Sequence, residues 1–141
     1  MSNYTPYSNW TRQEMFIHLK RAAVNKVMPL EVIEMLKKAC FDDRWNPIQD
    51  YNGCSIVQDP THPTVACFIH DYLYKTGQGG KDADKVWKWL FKIESGSKFK
   101  SKIFYRFIRI GWLAYYKWVH LANRNVNKYD KEFKKLIKII K

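Results

Sequence analysis

Apolar side chains recur every three to four positions along most of the chain, the spacing of helices with one buried face. Thr11, with Glu14 three residues on, has the form of a capping box, and Phe16, Leu19, Ala23 and Val27 follow at helical spacing. Pro29 suits a first helical position, and Leu30, Ile33, Met35, Leu36 and Cys40 predict a second amphipathic helix. Between 41 and 63 the period is lost. Asp42-Asp43, Asn46-Pro47, Asp50, Asn52-Gly53, Asp59-Pro60 and His62-Pro63 are turn formers, so this stretch reads as one long loop. A loop of that length in a compact chain is usually functional or tied down. Helical spacing resumes over 65–75, stops at the glycines of 76–80, and returns over 81–93 with Val86, Trp87, Leu90 and Phe91 apolar. Ser95-Gly96-Ser97 makes a turn, and a long basic, aromatic helix is expected over 98–121. Asn123-Arg124-Asn125 breaks it, and an amphipathic basic helix over 129–141 carries Phe133, Leu136, Ile137, Ile139 and Ile140. The expected fold is all-α: two antiparallel central helices with a long loop over one end, flanked by N- and C-terminal helices.

Composition narrows the class. At 141 residues the chain suits one domain with a real core, and aromatic residues at 16% argue against disorder. Three cysteines are too few for a disulfide-dense scaffold. The net charge of +12 points to an anionic partner, nucleic acid or lipid. Its distribution says more. Residues 1–84 carry nine basic and ten acidic side chains, whereas residues 85–141 carry sixteen and three. The cationic back part is either a set of solvated lysine faces or a docking face for phosphate and phospholipid head groups. The most apolar stretch, 103–121, contains Arg106, Arg109, Lys117 and His120, so no transmembrane helix is expected. Residues 1–10 lack a basic segment followed by an apolar one, so no signal peptide is expected and synthesis in the cytoplasm is.

The run Val65-Ala66-Cys67-Phe68-Ile69-His70-Asp71-Tyr72-Leu73-Tyr74 carries the candidate chemistry. Tyr74 lies four residues after His70, on the same helical face. Asp82 and Asp84 open the next helix, and if the two helices pack antiparallel an acid from the second can face His70. A carboxylate holding one imidazole nitrogen lets the other take a proton from water. Successive helical residues point about 100° apart, so Asp71 aims elsewhere. It could bind a hard cation together with backbone oxygens from the Asp50-Tyr51-Asn52-Gly53-Cys54 turn. Such a cation would polarise an ester carbonyl.

The stretch from Asp50 through Cys54-Ser55 to Ala66-Cys67-x-x-His70-Asp71-x-x-Tyr74 resembles the phospholipase A2 superfamily, closest to its compact bacterial and fungal type and its viral capsid-associated type. Ala83-Asp84 looks like that family's later Ala-Asp. The layout also resembles poorly characterised phage-encoded proteins with an H-D-x-L-Y helix, and Gly111-Trp112 looks like their Gly-aromatic final helix. The resemblance covers roughly residues 45–120. It implies His70 as the base activating water, Asp84 as its orienting acid, Tyr74 as a hydrogen-bond donor to that acid, and Asp71 as a calcium ligand beside Asp50, Asn52 and Gly53. It also implies a disulfide between Cys54 and Cys67, with Cys40 a free thiol. On this reading 1–41 is an N-terminal helical extension, 42–122 a phospholipase A2-like core and 123–141 a basic C-terminal helix. The sequence departs from the family in lacking the glycine-rich calcium loop of secreted animal enzymes, and in having Asn52 where the bacterial type prefers Asp.

Plainer readings stand beside these. His70 could be a satisfied helix histidine, Asp82 and Asp84 first-turn acids complementing a helix dipole, and Cys54 and Cys67 reduced and buried. No C-x-x-C or H-x-x-H pair suggests zinc. Trp87, Trp89, Trp112, Tyr115, Tyr116 and Trp118 are too many for one core face. Those beside Lys88, Lys92, Arg106, Arg109 and Lys117 could form a contact surface for an anionic membrane. Without a nucleic-acid motif, nucleic acid ranks below lipid or protein as partner. Two functions are expected: a phage- or virus-type phospholipase A2-like ester hydrolase using calcium, or a catalytically inactive virion structural or cationic binding protein on the same scaffold.

Overall fold

A computed structural model describes residues 9–51, 64–97 and 129–141, together with Lys100, Lys102, Ile103, Tyr105 and Arg106. Among them are five helices and no strand: α1 (Arg12–Asn25), α2 (Leu30–Phe41), α3 (Val65–Lys75), α4 (Lys81–Ser95) and α5 (Lys131–Ile140). The fold is all-α, as the periodicity predicts. Lys100, Lys102, Ile103, Tyr105 and Arg106 are helical. The rest of the helix expected over 98–121 and the break at 123–125 lie outside the described residues, as do residues 52–63 of the loop expected over 41–63. None of the described helices is long and apolar enough to cross a membrane.

Local chemistry sets the helix ends. The Thr11 hydroxyl accepts from the Glu14 N–H at 3.0 Å while the Glu14 carboxylate accepts from the Thr11 N–H at 2.9 Å, a complete capping box. The buried face of α1 is Met15, Leu19 and Ala23, with Phe16 only flanking it. Val27, expected on that face, lies beyond the helix and is 88% exposed. The chain there closes a Schellman motif: the Met28 N–H reaches the Ala23 carbonyl and the Val27 N–H the Val24 carbonyl, both at 3.0 Å. That motif needs a left-handed residue, and Val27 supplies it at φ 55°, a conformation that disfavours β-branched side chains. In α2 the buried stripe is Val32, Met35, Leu36, Ala39 and Cys40. Pro29 is the N-cap, one place earlier than expected, and Leu30 falls off the stripe and is exposed.

α1 and α2 are clamped at one corner by Arg12. Its guanidinium donates to the carbonyls of Cys40 and Asp42 at the end of α2 and to that of Trp45 beyond it, placing a cation where the helix dipole is negative. Cys40 beneath is a free, fully buried thiol; burial pushes it up to about 12 against the pull of Arg12. α2 packs against α1, α3 and α5, and α5 bridges α2 and α4, so all five helices share one apolar core.

α3 and α4 form the central hairpin. Gly77 (φ 79°) and Gly80 (φ 140°) allow the short reversal between them. Paired contacts run in opposite senses along the two helices: the His70 and Asp84 side chains meet, as do those of Cys67 and Trp87, and the backbone of Val65 and Ala66 meets the Glu94 side chain. The helices are therefore antiparallel. Glu94 sits in the last turn of α4, where an acid opposes its own helix dipole. Its carboxylate instead accepts from the Val65 and Ala66 N–H groups at 2.9 and 2.7 Å, satisfying two orphan donors at the start of α3. Thr64 caps the same turn, accepting from the Cys67 N–H.

Replacing Val27 by glycine removes the left-handed penalty while adding backbone entropy to the unfolded chain. Val27→Gly is expected to raise stability by roughly 0.5–1 kcal/mol. Urea denaturation of both proteins checks this, and an unchanged or lower midpoint contradicts it.

Candidate active site

His70 and Tyr74, one turn apart on α3, both face the first turns of α4. There Asp84 is fully buried, with His70 and Tyr74 only 8% and 5% exposed. His70 Nε2 lies 2.7 Å from Asp84 Oδ1, and the Tyr74 hydroxyl donates to the same oxygen at 2.9 Å. The carboxylate acts as acceptor, so Nε2 carries a proton and donates. In the neutral ring the unprotonated nitrogen is then Nδ1.

The surroundings hold these three side chains still. The imidazole lies against the Tyr74 ring at 4.6 Å between centroids and edge-on to Trp87 at 6.5 Å. Trp87 stacks on Phe91 and donates its indole N–H to Cys67 Sγ at 3.4 Å. Cys67 is disulfide-bonded; its expected partner, Cys54, lies outside the described residues. Gly79 packs on the far side of Tyr74. A Cβ there would sit 2.5–2.8 Å from three ring carbons, so any larger residue would push the phenol off Asp84. In the sequence Gly79 is one of three glycines in a turn; its place against a ring five residues back is a tertiary fact.

The remaining expected residues do not all converge. Asp71 is half-buried on α3, turned away from the His70 face. Asp50 is exposed, and its carboxylate closes its own turn by accepting from the Asn46 N–H at 2.7 Å. Asn52 and Gly53 lie outside the described residues. Among the described residues no three His, Cys, Asp or Glu side chains form a metal-holding group. Lys88 and Lys92 lie on the outer face of α4 and Arg106 is exposed; Arg109 and Lys117 lie outside the described residues.

A second polar cluster escaped the sequence reading. Asp42, at the end of α2, accepts from the Arg44 guanidinium at 2.6 Å and from the Tyr72 hydroxyl at 2.5 Å. Arg44 also donates to Asp130, the N-cap of α5, whose own N–H donates to Gln78 in the hairpin turn. Burial raises the Asp42 carboxyl, but the hydrogen bonds of Arg44 and Tyr72 outweigh it and hold the group well below the usual carboxylate range. Burial, and then the bond to Asp42, push the Tyr72 phenol far up. The cluster ties α2, α3, the turn and α5 together on the face of α3 away from Asp84.

No family model, curated protein or solved structure matches the chain. The site is therefore read from its own geometry.

Asp42 has a folded value below its ordinary 3.8, so its contribution is complete above that pH and is lost as pH falls beneath it. Asp42→Asn is expected to cost about 1–2 kcal/mol near neutral pH, a figure lowered for the partial exposure of Arg44. The variant should also lose less stability than wild type on acidification below 3.8. Parallel acid limbs in urea titrations from pH 7 to 2 would contradict this.

Proposed function

We propose that the chain is a phospholipase A2-like hydrolase of a lipid ester, of the phage or viral type. The observation that supports it is the convergence of His70 Nε2 and the Tyr74 hydroxyl on one buried Asp84 oxygen, across two antiparallel helices. In this reading His70 Nδ1 takes a proton from a water molecule as that water's oxygen attacks the ester carbonyl carbon. Asp84 holds Nε2–H and stabilises the imidazolium that forms, while Tyr74 fixes the carboxylate. When the tetrahedral intermediate collapses, the ester C–O bond breaks and Nδ1 returns its proton to the departing alkoxide. Water is consumed, and a fatty acid and an alcohol, for a phospholipid its lyso form, are released.

Calcium belongs to the same proposal. Asp71 would hold it with backbone oxygens of the Asn52-Gly53 turn, and the bound cation would polarise the carbonyl. The excess of basic residues in 85–141, sixteen against three acidic, favours an anionic phospholipid surface as the place of action. The same excess supports a second reading, a non-catalytic virion component held on its partners by its cationic back.

Mixed-chain phosphatidylcholine vesicles with calcium test the hydrolase. Wild type should release fatty acid, and His70→Ala should lower release by roughly 100-fold or more. Asp84→Asn should act in the same direction, each variant being checked for its helical circular dichroism. Equal release from His70→Ala, or none from wild type, overturns the hydrolase and favours the second reading. Calcium should raise the melting temperature of wild type but not of Asp71→Asn. No rise in wild type removes the metal from the proposal.

A further inference from the structure

The outer face of α4 carries a feature that the His70 site does not use. Lys85, Lys88 and Lys92 are spaced i, i+3 and i+7 and so form one stripe, turned away from the core face of Val86, Trp87 and Leu90. Together with α5 they border a groove of about 570 Å³, within the range of sites that hold small organic ligands. Its floor is apolar: Trp89 from α4 and Ile137 and Ile140 from α5 are half-buried against the core, and Ile139 beside them is 39% exposed. Lys88 is held with its ammonium 5.1 Å over the Tyr105 ring. Asp82, the acid on the rim, faces the Tyr129 hydroxyl at 3.4 Å.

We propose that this groove binds a single-chain amphiphile with an anionic head, its alkyl tail on the Trp89-Ile137-Ile140 floor and its head among Lys85, Lys88 and Lys92. The pairing of surfaces selects that chemistry. A small anion would meet the lysines but gain nothing from the floor, and a neutral lipid would cover the floor but gain no charge pairing with the lysines. The site is separate from the His70 face of the hairpin and independent of the hydrolase proposal.

Calorimetric titration of the full chain with oleate, below its aggregation concentration, tests this. Saturable binding is expected. The triple variant Lys85→Glu, Lys88→Glu, Lys92→Glu should weaken it by roughly tenfold or more. Trp89→Ala should weaken it while leaving the charge intact. The control triple variant Lys20→Glu, Lys37→Glu, Lys38→Glu has the same net charge, with its changes on exposed positions of α1 and α2, and should bind as wild type does. Equal weakening in both triple variants means attraction to net charge alone and overturns the proposal. Equal binding of dodecyl maltoside or of acetate overturns it too, as does binding to anionic phospholipid vesicles with none to oleate.

Discussion

The Asp84 carboxylate is the constraint on which the rest depends. It has no exposed surface, and a carboxyl group out of water is tolerated only with well-placed hydrogen-bond partners. His70 and Tyr74 supply two of them from the neighbouring helix, four residues apart on a single face. That requirement fixes the distance, rotation and register of α3 against α4. It also calls for a glycine at 79, because the phenol that serves the carboxylate fills the space a Cβ would take. The groups best suited to proton transfer are therefore also the ones that specify the fold's central pair.

Much of this was legible in the chain. The capping box, the two glycine-bounded helices and the four-residue spacing of His70 and Tyr74 are local patterns, and a short turn between amphipathic helices leaves an antiparallel hairpin as the simple solution. What local pattern cannot carry is contact between distant residues. Arg44 meets Asp130 across 86 positions and Tyr72 meets Asp42 across 30, and no periodicity announces either. Asp42 was read as a turn former, which it is, but its tight pairing with Arg44 and Tyr72 is a tertiary property. Val27 misled for the opposite reason. It continues the apolar spacing of α1 past the point where backbone hydrogen bonding ends the helix.

α4 divides its labour by face. Ala83, Asp84, Trp87 and Phe91 look inward to α3, while Lys85, Lys88 and Lys92 look outward beside α5. At about 100° per residue the midline of the lysine stripe falls roughly a third of a turn from that of the inward residues, with Lys88 one turn beyond Asp84. The cationic character of the back part therefore begins within the helix that carries the acid of the candidate site.

Glu94 gives the hairpin a second fixed point. It binds the start of α3 while Asp84, ten residues earlier on the same helix, binds the middle. Two anchors on one rod act like the two pins of a hinge plate. If α4 slid by one turn, both would disengage together, leaving a buried carboxylate and two bare amides. The two anchors therefore set a single register for the pair, and the candidate site inherits it.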